Sequence, residues 1–147
     1  MPGIIVGVDG SAHSRRALEW ALQESAIRHA PLTVLTVHAA FAGYHGGMMS
    51  DPAGPARTEE ARQAAQLDTD KALAGLDGPR PASVTVTAVH GFPVEELIKA
   101  GSDADMIVLG ARGAGGFTRL LMGSVADQVT QHAPCPVLIV PRNSSLA

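Results

Sequence analysis

From Gly110 to Val129 the chain reads GARGAGGFTRLLMGSVADQV, with four glycines and two arginines in the first ten residues. Glycines without a Cβ let backbone N–H groups approach a ligand closely and admit positive φ. Gly110, Gly113, Gly115 and Gly116 supply that freedom, and Gly123 opens the turn ahead of Ser124. The helix-like segment that follows begins with N–H groups at Ser124, Val125 and Ala126 that have no partner within the helix. Those donors and the helix dipole favour an anion, above all a phosphate. The Ser124 hydroxyl adds a donor, and Arg112 and Arg119 add charge-assisted bonds. A flexible turn with Ser124 as a plain N-cap accounts for the same composition.

A second constellation stands near the start, in VGVDGS. Asp9 ends an apolar run, where its carboxylate repels phosphate and suits a base or a ribose hydroxyl. A helix-capping role for Asp9 fits equally well. An acidic end and a glycine/arginine end together suit a nucleotide lying across one crevice. The Walker pattern is absent, because no lysine follows the relevant glycines. The dinucleotide pattern fails too: Gly113 and Gly115 are followed by Thr118 where glycine is required.

Five short apolar or β-branched runs position these loops: Ile4–Val8, Leu32–Ala39, Ser83–Val89, Met106–Gly110 and Pro136–Val140. The first, fourth and fifth are nearly continuous aliphatic, as strands buried on both faces are. The third alternates, which predicts an edge strand. Helical patterns fill the gaps. One follows Ser11 and places Leu18, Ala21, Leu22 and Ser25 on one face, ending at Pro31. A second runs from Thr58 as N-cap to about Leu76. A third has Pro93 at N1 and Gly101 as its C′ residue. A fourth spans about Ser124 to His132. Strict alternation of strand and helix predicts an α/β fold: a single domain over residues 1–147 with one doubly wound parallel sheet and helices on both faces. In such sheets ligands bind beyond the carboxyl ends of strands at the point where strand order reverses. The Gly/Pro-rich connection at about 41–57 is longer than usual and reads either as a lid or as a disordered insert.

Composition narrows the function. Hydrophobic residues are 46% and charged residues 17%, with a net charge of −3. No basic stripe argues for nucleic acid, and aromatics are too few for base stacking. No apolar run is long enough for a membrane span, and no leader is evident in MPGIIVGVDG, so a cytoplasmic location is expected. Cys135, the one cysteine, reads as a small core residue. The six histidines show no metal-ligand spacing. His38 and His90, at strand ends, suit surface or packing roles better than the crevice.

The spacing G-x-x-G-(x)9-G-[ST] at Gly110, Gly113, Gly123 and Ser124, with VGVDGS near the start, GFP at Gly91–Pro93, SDADMIVLG and APCPVLIV, resembles the universal stress protein family in its nucleotide-binding branch. The resemblance covers essentially the whole chain. It implies a five-stranded sheet of order 3-2-1-4-5, like that of the adenine nucleotide alpha hydrolases, and a homodimer paired through Val137–Val140. It places adenine near Gly7, Val8, Asp9 and Ala39. Ribose and phosphates fall on Gly110, Arg112, Gly113, Gly123, Ser124 and Val125, with Leu109 and Met122 beside them. The ligand implied is ATP, or ADP, AMP or cyclic AMP, with Mg²⁺ an open addition. No acidic pair near Gly110–Ser124 would hold that ion, and Asp127 reads as a solubilising helix residue. A regulatory binding module in the stress response is therefore expected, ahead of a weak ATPase, a cyclic AMP-binding module or a nucleotide-independent scaffold.

Overall fold

The computed structural model describes residues 3–39, 54–111 and 123–141. Along the chain it forms β1 (Ile4–Val8), α1 (Ala12–Arg28), β2 (Leu32–Ala39), α2 (Gly54–Ala74), β3 (Val84–Gly91), α3 (Pro93–Gly101), β4 (Met106–Gly110), α4 (Ser124–His132) and β5 (Val137–Val140). The five strands make one sheet in the order β3-β2-β1-β4-β5, and every pairing is parallel. Parallel strands need both faces covered, because each connection is a crossover helix. Side chains on one face of the sheet, including Ile4, Val6, Leu32, Val34 and Val108, pack with Leu18 and Leu22 of α1 and Ala65 of α2. Those on the other, including Ile5, Leu35, Ile107 and Leu109, pack with Leu97 of α3 and Val129 of α4. The alternating third run is the edge strand β3, as its pattern predicts; the nearly continuous fifth run is the opposite edge, β5, and is mostly half-buried, not buried on both faces. Among the described residues no helix is long and apolar enough to cross a membrane.

Several element ends differ from the sequence reading, each for a local reason. α1 stops before Pro31. His29 takes a left-handed conformation, with φ 55°, and its N–H donates to Ala26 O while Ala30 N–H donates to Ser25 O. This is the paired closure of a Schellman motif, with histidine where glycine is usual. α2 is already helical at Gly54 and does not start after Thr58, so the long connection is shorter than read. Pro55 suits a first helical turn because the N–H it lacks is not needed there. The Thr58 hydroxyl donates to Gly54 O at 2.8 Å, a bond made inside a helix. Gly101 is the last residue of α3 and Ser102 its C-cap. A Cβ on Gly101 would lie 2.7 Å from Ile107 Cδ1 and 3.3 Å from Cys135 Sγ. Close packing therefore explains that glycine. Strand β3 continues through His90 and Gly91, and β5 begins at Val137, one residue after Pro136.

Candidate functional site

Strand order reverses between β1 and β4, and a cleft open to solvent lies at their carboxyl ends. Gly7, Val8 and Asp9 from the end of β1, and Leu109 and Gly110 from the end of β4, form its floor. Leu35 and Val37 of β2, Pro93 and Leu97 of α3, and Val125 and Ala126 of α4 form its walls, and Ser14 of α1 closes one side. Gly7 carries no Cβ where one would stand 2.7 Å from Leu109 Cδ2 and 3.1 Å from Leu97 Cδ2. Its absence lets both leucines close over the end of β1.

The Asp9 turn is built from short-range bonds. Gly10 turns the chain with φ 82°, a conformation that favours glycine. Asp9 Oδ1 accepts from Ser11 N–H at 3.0 Å. Ser11 is the N-cap of α1: its Oγ accepts from Ser14 N–H. Ser14 Oγ in turn accepts from Asp9 N–H at 3.2 Å and donates to Ser11 O. Asp9 thus orders the turn that leads into the helix, while Ser11 makes the cap. Arg15 Nη2 donates to Gly10 O at 2.9 Å on the outer side.

Facing this turn is the start of α4. Its N-cap is Gly123, in extended backbone with φ −71° and ψ 164°, and no side chain caps the helix. Ser124 is the first helical residue and not the cap. Gly123 N–H donates to Ala111 O, which ties the helix start to the end of β4. The end of α4 that contributes Val125 and Ala126 to the cleft is therefore its positive dipole end. Asp127, further into that turn, accepts from Gln131 Nε2 at 3.2 Å.

Of the residues singled out from the sequence, Gly7, Val8, Asp9, Leu109, Gly110 and Val125 converge on the cleft. Ala39 lies at the exposed end of β2, two residues beyond Val37, in register with Gly91. Gly123 and Ser124 immediately precede the lining residue Val125. Arg112, Gly113 and Met122, with Gly115, Gly116 and Arg119, lie outside the described residues, as does most of the 41–57 connection. The structure adds Ser14, Leu35, Val37, Pro93, Leu97 and Ala126. The period of two along β2 puts Leu35 and Val37 on one face, but only the sheet order shows that this face turns to the cleft. Gly110 has a structural reason as well: a Cβ there would meet the His13 backbone, at 2.8 Å from its O and 2.9 Å from its C. His38 and His90 do not line the cleft; they contact each other. Cys135 packs beside Gly101. Burial pushes its thiol pKa up, with Asp105 adding to the shift and a backbone hydrogen bond at Ile107 opposing it.

The model of the universal stress protein family matches residues 2–141. A universal stress protein of Mycobacterium tuberculosis is 33% identical over 139 residues, which make up 94% of this chain and 47% of the relative. The chain thus spans about half the length of the mycobacterial relatives it matches. The universal stress protein in the QAH/OAS sulfhydrylase 3′ region of Thermus aquaticus is 33% identical over 139 residues, covering 93% of this chain and 96% of the relative. Among solved structures, a universal stress protein from Lactobacillus plantarum superposes with a TM-score of 0.75 at 24% identity, covering 95% of this chain and 97% of the other. A universal stress protein in complex with cAMP superposes with a TM-score of 0.67 at 26% identity, covering 95% and 96%. With the family matched across nearly its whole length and relatives a third identical, the chain belongs to the universal stress protein family.

Proposed function

We propose that the chain binds an adenine nucleotide in the cleft between β1 and β4 and serves as a dimeric regulatory module of the cytoplasmic stress response. The observation that carries this reading is the division of the cleft into two chemistries. Leu35, Val37, Leu97 and Leu109 offer an apolar slot for a flat base, with the acid Asp9 at its end. The start of α4, without a capping side chain, offers backbone donors and positive dipole for phosphate. Gly110, Arg112 and Gly113 are the expected remainder of that cradle, with Met122 beside it.

ATP is the ligand proposed first. Cyclic AMP is the second reading, favoured by the relative that was solved with it. Gly123→Val tests the ligand contact without backbone strain, because valine readily adopts the extended backbone found there, and a thermal melt of the variant checks that it folds. It sets a branched side chain where phosphates would approach. By calorimetry it is expected to weaken binding by about tenfold or more, on the order of 1.4 kcal/mol. Unchanged affinity would remove the start of α4 from the site. Titration of ATP and cyclic AMP into the same preparation distinguishes the two readings. Phosphate release that is fast and lost in Gly123→Val would replace the binding module with an ATPase.

A further inference from the structure

His38 and His90 are register partners on the neighbouring parallel strands β2 and β3. Neighbouring parallel strands point registered side chains the same way, about 4.8 Å apart. The two rings accordingly stand with centroids 5.0 Å apart. Their Nδ1 atoms face each other at 3.0 Å. His90 is exposed and His38 half-buried, so the pair is reachable from solvent. Val37 and Val89, the preceding residues, pack on the α3/α4 face, which puts the histidines on the opposite face from the cleft wall.

We propose that His38 and His90 form a two-histidine site for a borderline divalent cation such as zinc, closed by water, that fastens the edge strand β3 to β2. Imidazole nitrogens suit zinc, copper and nickel. Two nitrogens bound at about 2.0–2.1 Å to one tetrahedral zinc stand about 3.3 Å apart, close to the separation already present. The hydrogen bond between the rings needs one protonated Nδ1. Binding moves that proton to Nε2 of the same ring, so both Nδ1 lone pairs reach the cation and neither ring need change its charge. Among the described residues no three ligating side chains converge anywhere, so within them the pair stands as a two-ligand site. Its location on the edge strand gives the cation a mechanical consequence: it adds a side-chain link at the end of two strands paired by backbone bonds.

The test is calorimetric titration of zinc chloride into the full chain. The wild type is expected to give a single-site isotherm. His38→Gln and His90→Gln should each weaken it by about 10–100-fold or more, at least what loss of an outer-shell partner costs a metal site. His132→Gln, at the end of α4, should leave it unchanged. Zinc should raise the melting temperature of the wild type and not of the two variants, because a ligand that binds only the folded state stabilises it. A measurement on the wild type alone guards against misfolded variants: substoichiometric copper(II) should broaden the ring NMR signals of His38 and His90 before those of His13, His29 and His132. Zinc binding that survives both substitutions, or broadening that begins elsewhere, would overturn the site. Neither result touches the nucleotide reading, which depends on the other face of the sheet.

Discussion

Gly110 and Gly123 look alike in the sequence, yet the structure gives them different work. At Gly110 the missing side chain makes room for the His13 backbone. Gly110→Ala is therefore expected to destabilise the fold by about 1–3 kcal/mol, the usual cost of overpacking, whether or not nucleotide is present. Chemical denaturation checks this, and unchanged stability would show that the end of β4 yields easily. At Gly123 the backbone is ordinary extended chain, so no positive φ calls for glycine there. A sequence reveals an absent Cβ but not which atoms take its space, so the two roles were not separable there. Asp9 was legible as a residue at the mouth of a strand. Its bond to Ser11 N–H was not, because it depends on the turn that Gly10 makes. His29 offers a stability test. Its left-handed conformation costs a side-chain-bearing residue about 1–2 kcal/mol, so His29→Gly should stabilise the folded chain by about 0.5–1 kcal/mol after the entropy of glycine is counted. A lower melting temperature would contradict the cap assignment. Cys135, half-buried beside Gly101 with its thiol pKa raised, should alkylate more slowly at mildly alkaline pH in the folded chain than in urea. Equal rates would mean that the thiol is open to solvent.

The strands were read closely because their signal is strong. A run such as Met106–Gly110 is apolar on both faces, and few other structures tolerate it in a soluble domain. Helix ends were read less well. Where α1 stops depends on the backbone closure around His29, which does not show in hydrophobic period. The exposed edge at β5 carries the proposed dimer contact. Ile107 N–H bonds Pro136 O and Ala111 N–H bonds Val140 O. In a parallel ladder that pattern turns the N–H of Val137 and Ile139 away from β4. Ile139→Pro should therefore spare the pairing with β4 and break pairing across the edge, since proline is tolerated where an edge N–H points outward. Light scattering is expected to show dimer in the wild type and monomer in the variant. A variant dimer would place the interface elsewhere.

At the scale of the whole molecule, the sheet divides the core in two and sets the cleft at the one place where strand order reverses. Alternation of strands and helices predicted a parallel sheet. The order β3-β2-β1-β4-β5 came from the family resemblance, because periodicity does not say which strands are neighbours. Without that order, Leu35, Val37 and Leu97 are core residues like any others; with it, they form the wall of a cleft. Nucleotide is proposed to enter from this face. Methyl NMR of the full chain during titration with ATP tests it most directly. Shifts are predicted for Val37, Leu97, Leu109 and Val125, with Leu18, Leu22 and Val34 on the α1/α2 side little changed. Perturbation confined to the α1/α2 side, or none at saturating ATP or cyclic AMP, would contradict the account.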